Sequence, residues 1–225
     1  GATYDCTVAQ LGSATFNITI EREGEPSHQL FTPENTPHPV TVAADVIRLL
    51  NDMNEELAKE WIDDIGYASY FIGRVHSGTF YNQMPNRAEL EGVRRYAPDQ
   101  SFEQVKQEMD SLLKDVAQRH GVEIHLDMKK VRDGYRIEKN DKVVQALLRA
   151  VKKVRGIDLP FAGKKLVTDA GIFVNDMGVQ TVCYGPDQRT AHGEVEYVEI
   201  DELEQTVKVY LQLIHEYLGV KTARG

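Results

Sequence analysis

Between Phe16 and Met128 the chain runs through strand, helix, strand, strand, helix, strand, and few folds accept that order. Phe16, Ile18 and Ile20 alternate with Asn17, Thr19 and Glu21, the period of a strand with one wet face. A loop rich in proline follows (Pro26, Pro33, Pro37, Pro39). Val40, Ala43, Ala44, Ile47, Leu50, Met53 and Leu57 then recur at helical spacing, which predicts a helix reaching Trp61. Residues 68–80 and 87–96 read as strands joined through a turn at Met84-Pro85-Asn86, the second with Ala88 and Leu90 on one face. Ser101 and Gln104 form a capping box for a helix carrying Phe102, Val105, Met109, Leu112 and Val116, and Gly121 stops it. Val122, Ile124, Leu126 and Met128 alternate with Glu123, His125 and Asp127, giving the fourth strand.

Six elements in this order make the split βαβ, ferredoxin-like arrangement. It closes over residues 13–132, within the usual size of one domain. The charged stretch Lys129 to Lys142 reads as a hinge. Beyond it, Asp141 caps a helix with Val143, Val144, Leu147, Leu148 and Val151. Leu166 and Val167 read as a strand entering a short helix at Thr168-Asp169-Ala170, and Val179 to Tyr184 as another apolar strand. Asp201 and Glu204 cap a last helix with Leu203, Val207, Tyr210, Leu211, Ile214 and Leu218, closed by Gly219. This is the texture of an α/β layer, with too few strands to stand as a doubly wound sheet. The expected class is therefore α/β (α+β). Residues 13–132 form a ferredoxin-like domain, and residues 1–12 with 133–225 form part of an α/β domain.

Charge and composition exclude some functions. A net charge of −9 argues against nucleic acid, whose phosphates need clustered Lys and Arg. An apolar content of 41% is enough for a real core, while no run approaches the roughly 18 apolar residues of a membrane span. Cys6 and Cys183 lie far apart without framework or CxxC spacing, which predicts a reducing, cytoplasmic compartment. No signal peptide is visible, and Gly1-Ala2 without a starting Met reads as a tag scar or a cut end.

Several residues could carry chemistry. His192, in Ala191-His192-Gly193-Glu194, follows the Gly185-Pro186 turn in a loop between a strand and a helix, where α/β sheets gather ligands. It reads either as a zinc ligand whose ring Glu196 would orient, or as a surface-loop imidazole. One His cannot hold a catalytic metal, and no other His stands at metal-ligand spacing with it. His28, after Gly24, reads by itself as a solvated loop residue. Arg94-Arg95 ends a strand before Tyr96-Ala97-Pro98. There a guanidinium can grip a carboxylate through two parallel hydrogen bonds, or simply be a polar strand end. Asn82 offers an amide beside Met84-Pro85. Asp169 is a ligand or base, or more simply a helix N-cap.

Taken together, these segments resemble the M20 family of zinc aminoacylases and carboxypeptidases. The likeness runs over nearly the whole chain. It is carried in order by Phe16 to His28, Asn82-Gln83-Met84-Pro85, Arg95-Tyr96-Ala97-Pro98, Thr168-Asp169-Ala170, Tyr184-Gly185-Pro186, and Ala191-His192 with Glu196-Tyr197-Val198. The resemblance implies a ferredoxin-like lid plus the C-terminal part of a zinc-peptidase catalytic domain. His192 would be the last zinc ligand. His28 would polarise the scissile carbonyl, usually in the partner subunit's site, and Asn82 and Arg95 would hold the oxyanion or the substrate's carboxylate. The thirteen positions from one to the other, across a turn, predict that they stand well apart. The implied enzyme uses two zinc ions, cleaves amide bonds of N-acyl amino acids or small peptides, and dimerises through its lid. The upstream half that carries most of the family's metal ligands has no counterpart here. The chain by itself is therefore expected to be inactive and to bind zinc weakly or not at all. Leu166 and Val167 stand where the family often has glycines, and Val195 where it usually has Asn. The competing expectation is a non-catalytic dimerisation or ligand-binding module on the ferredoxin-like unit.

Overall fold

The structure, a computed structural model, describes residues 4–187, 189–191 and 193–219. Its strands are β1 (Cys6–Gln10), β2 (Gly12–Glu21), β3 (Ser27–His28), β4 (Ser69–Ser77), β5 (Gln83–Met84), β6 (Arg87–Tyr96), β7 (Glu123–Arg132), β8 (Tyr135–Arg136) and β9 (Phe161–Lys164). Its α-helices are α1 (Pro39–Leu57), α2 (Phe102–His120), α3 (Lys142–Arg155), α4 (Ala170–Asn175) and α5 (Ile200–Leu218). They fall into two compact units. One comprises Leu11–Ile62 and Gly66–Gly134; the other takes the chain up to Gln10, Asp63–Ile65 and everything from Tyr135 on.

The first unit is the ferredoxin-like βαββαβ. Its sheet has the order β4-β6-β2-β7 with every pairing antiparallel. The alternation in β2 sends Ala14, Phe16, Ile18 and Ile20 inward against Val42, Val46 and Leu50 of α1 and Val105, Met109 and Val116 of α2. α2 starts on the expected capping box, Ser101 with Gln104, and stops at Gly121 with φ 63°. Where β6 pairs with β4 at the register shift after Ile72, a Cβ on Gly92 would lie 2.1 Å from the Phe71 carbonyl oxygen and 2.4 Å from the Phe16 ring. Three expectations shift. α1 ends at Leu57, leaving Trp61 outside and exposed. Its buried stripe is Val42, Ala43, Val46 and Leu50, so Val40 and Ala44 face water. β4 stops at Ser77 rather than residue 80, because Gly78 turns to φ 68°.

In the second unit a three-stranded sheet has the order β8-β1-β9, with β1 antiparallel to β8 and parallel to β9. All five residues of β1 are buried. Val144, Leu147 and Val151 of α3 and Val209 of α5 join Cys6 and Val8 in this core. Four expectations are corrected here. The strand precedes Leu166 and Val167, at Phe161–Lys164, because Gly163 must lie flat against Ile65 and Asp64. Among the described residues, Val179 to Tyr184 makes a single bridge, Cys183 to Thr7. α5 opens at Glu199 without a side-chain cap, so Asp201 lies in its first turn instead of capping it. The supposed hinge carries the end of β7 and all of β8. Among the described residues no helix is long and apolar enough to cross a membrane.

Candidate functional site

The chain leaves β2 at Glu21, loops through β3, and pairs there with β5, Ser27 with Met84 and His28 with Gln83. That short ribbon brings two expected site residues together. His28 Nε2 lies 3.2 Å from the Asn82 side-chain amide, and Gln29 N–H donates to the Asn82 carbonyl at 3.0 Å. The Leu30 N–H donates to His28 Nδ1 at 3.2 Å. Nδ1 is therefore an acceptor, so a neutral ring carries its proton on Nε2; the Asn82 Nδ2 faces Nε2, and turning that amide over presents its oxygen to the proton. His28 is exposed, with the Phe31 ring tilted against it at 5.3 Å between centroids. The result is an exposed imidazole held at both ring nitrogens, Nδ1 by the Leu30 N–H and Nε2 by the Asn82 amide.

Arg95 lies elsewhere. His28 and Asn82 follow the end of β2 and precede the start of β6, near the Glu21–Arg87 pair. Arg95 pairs with Ser13 at the far end of the same strands. At the strand rise of about 3.3 Å per residue, those ends are separated by roughly 26 Å. Arg95 also faces Ser69 of β4 in register. Its Nη1 is buried without a hydrogen-bond partner among the described residues, and burial holds its pKa below the usual guanidinium value. An orphaned donor on a cation suits a carboxylate. Tyr96 anchors this end. Its hydroxyl donates to Asp133 Oδ1 at 2.8 Å and the Arg132 carbonyl at 3.1 Å. Burial, reinforced by the Asp133 hydrogen bond, pushes the Tyr96 phenol up.

In the other unit, Gln10 is fully buried and its Oε1 accepts from the Thr168 N–H at 2.9 Å and the Thr168 hydroxyl at 2.8 Å. This fixes the Thr168-Asp169-Ala170 turn from below. Asp169 occupies the N-cap of α4 without a side-chain capping bond, so the expected cap is positional only. The Tyr184-Gly185-Pro186 segment is tied by Arg155 Nη1 to the Tyr184 hydroxyl at 3.0 Å and by the Tyr210 hydroxyl to the Tyr184 carbonyl at 2.6 Å. His192, the expected zinc ligand, lies outside the described residues. Among the described residues no group of three or more His, Cys, Asp or Glu is arranged to hold a metal. The chain's single His-x-Asp triplet, His125-Leu126-Asp127, stands on the exposed face of β7, where Lys129 pairs with Asp127 at 3.1 Å. Sequence reading passed over Gln10, Arg155 and Arg22, whose hydrogen bonds shape these loops. Each is one polar residue in an unremarkable context, and only the fold gives it partners.

The family model for peptidase family M20/M25/M40 matches residues 6–216. A succinyl-diaminopimelate desuccinylase of Halorhodospira halophila is 26% identical over 216 residues, covering 94% of this chain and 53% of that protein. One from Hahella chejuensis is 26% identical over 170 residues, covering 73% of this chain and 43% of the relative. Among solved structures, the aminopeptidase PepT of Bacillus cereus aligns with a TM-score of 0.79 at 21% identity, over 97% of this chain and 55% of that one. An M20 family metallo-carboxypeptidase from Sulfolobus solfataricus aligns with a TM-score of 0.76 at 18% identity, over 97% and 61%. The chain thus spans about half the length of the curated relatives it matches.

Proposed function

Because the chain belongs to peptidase family M20/M25/M40, we propose that it is the lid and the C-terminal part of the catalytic domain of a zinc-dependent hydrolase. The domain limits are residues 13–132 for the lid and 1–12 with 133–225 for the rest. The reaction is cleavage of an amide bond in an N-acyl amino acid or a short peptide. The observation that carries this reading is the His28–Asn82 pair, 3.2 Å apart on one ribbon. As an amide carbonyl becomes tetrahedral, charge gathers on its oxygen. Once the substrate oxygen replaces the Asn82 oxygen as its acceptor, the His28 Nε2–H stabilises that charge more than it stabilises the ground state. Asn82 orients the ring until the substrate oxygen takes its place on Nε2–H. Arg95 holds a substrate carboxylate with its spare donor. His192 is the ligand this chain contributes to the zinc site. The remaining ligands belong to polypeptide beyond this half-length chain, and two zinc ions polarise the carbonyl and supply the nucleophile when bound.

A single lid does not bring His28 and Arg95 to one bond, given the length of β6 between them. The reading therefore makes the enzyme a homodimer through the lid, each subunit lending His28 to its partner's substrate. Both cysteines are free, consistent with a cytoplasmic setting. The test is His28→Ala in the full-length enzyme. Turnover of N-succinyl and N-acetyl amino acids and of dipeptides should fall by about 10²–10³ with KM little changed, the cost of one oxyanion donor. Undiminished turnover removes His28 from the chemistry and favours a lid that only binds or dimerises.

A further inference from the structure

The ribbon that carries His28 and Asn82 is too short to hold itself, since β3 and β5 pair at only two positions and an isolated two-strand ribbon is marginal in water. Arg22 closes its base. Arg22 Nε donates to the Pro85 carbonyl at 3.0 Å and Nη2 to the Met84 carbonyl at 3.4 Å, both on the Asn82 arm. Nη1 donates to the Glu23 carbonyl at 2.7 Å and Nη2 to the Glu25 carbonyl at 3.0 Å, both on the His28 arm. The Arg22 main-chain N–H adds a bond to the Asn86 carbonyl at 3.0 Å. Gly24, at φ 84°, lets the chain curl so that the carbonyls on either side of it face the same guanidinium. One planar fork thus grips four carbonyls on two arms. An ammonium, with three donors diverging from a point, cannot reproduce that.

We propose that Arg22 is a positioning residue that holds the His28 imidazole and the Asn82 amide in register. Its effect on rate rests on the hydrolase reading of His28; its effect on geometry does not. Arg22 lies outside the apolar core of the lid, so its substitution removes no core packing, and thermal melts of each variant check that the lid is folded.

The test uses the full-length protein with Arg22→Lys and Arg22→Met. The first measurement is the nitrogen spectrum of histidine-labelled, metal-free protein, with His28→Ala assigning the peak. Both variants should move the His28 ring resonances and speed exchange of its Nε2–H. The second is kinetics. Both should lose about 10- to 100-fold in kcat with KM within about twofold, as a misplaced donor does. Arg22→Lys should add nothing on top of His28→Ala. Unmoved His28 resonances in Arg22→Lys overturn the proposal, whatever the rates do. Moved resonances with unchanged kcat support the placement by Arg22 and instead remove His28 from the reaction.

Discussion

Arg94 and Arg95 are neighbours in sequence with opposite fates, because a strand turns successive side chains to opposite faces. Arg94 points at the helices and is fully buried, 4.3 Å from the Tyr70 ring and 3.7 Å from Glu108. Arg95 points the other way; both guanidiniums keep donors without a hydrogen-bond partner among the described residues, but Arg94 is sealed beside the Tyr70 ring and Arg95 is not fully buried. Their substitutions should separate accordingly. Arg95→Met is expected to leave thermal stability unchanged and to raise KM for a substrate bearing a free carboxylate by about 10- to 100-fold, the value of a hydrogen bond to a charged group. Arg94→Ala should destabilise the ferredoxin-like unit by about 2–3 kcal/mol, since it leaves a void beside the Tyr70 ring, without a specific effect on KM. Steady-state kinetics beside thermal melts would show it. Asp133 belongs to the same scale. Burial alone would raise its pKa, but hydrogen bonds from Lys130 and Tyr96 outweigh that and hold it below the ordinary carboxylate value. A lowered folded pKa means stability that is complete above the unfolded value of about 3.9 and lost as pH falls through the folded one. Asp133→Asn should therefore cost about 1–2 kcal/mol at neutral pH. The gap from the parent should close in acid, below about pH 4, as followed by denaturant melts across pH.

At the scale of elements, the ferredoxin-like unit is tightly closed where β4 pairs with β6 at Gly92. A methyl there would meet the Phe71 carbonyl and the Phe16 ring at distances no side chain tolerates. Gly92→Ala should destabilise the lid by about 2–4 kcal/mol through forced separation of β4 from β6. Amide exchange should be fastest along β4, and protection equal to the parent there would refute it. Elements with one wet face were legible from the chain: β2 and β7 through strict alternation, α2 through its capping box and Gly121. Elements wet on neither face were not. β1, Cys-Thr-Val-Ala-Gln, is buried on both sides, so it shows no period and is too short to betray itself by length. β9 runs through Phe161-Ala162-Gly163-Lys164, whose strand character comes from pairing with β1 rather than from propensity. The stripe of α1 was legible in kind but misphased, because Val40, Ala44 and Ile47 offer a competing apolar row beside Val42 and Val46. The pairing of His28 with Asn82 was illegible for another reason. Fifty-four positions separate them, and only the ribbon's register makes them neighbours.

Over the whole molecule, two cores with no shared member divide the chain, one around Phe16, Leu90 and Met109 and one around Val8, Leu147 and Val209. The second is the weaker. α5 buries only Thr206 and Val209, while Ile200, Leu203, Val207, Leu211, Ile214 and Leu218 form a stripe exposed by 45% or more. A helix usually gains most of its stability from packing such a stripe, and this one packs little of it here. In this 225-residue chain, unfolding should therefore occur in two steps, the unit containing α5 first, with dye binding to its apolar stripe before the lid melts. Leu147→Ala and Leu90→Ala, each fully buried, should each cost about 2–5 kcal/mol. They should move different steps: Leu147→Ala the early one and Leu90→Ala the late one. A single transition that both substitutions shift equally would mean that the cores fold as one cooperative body.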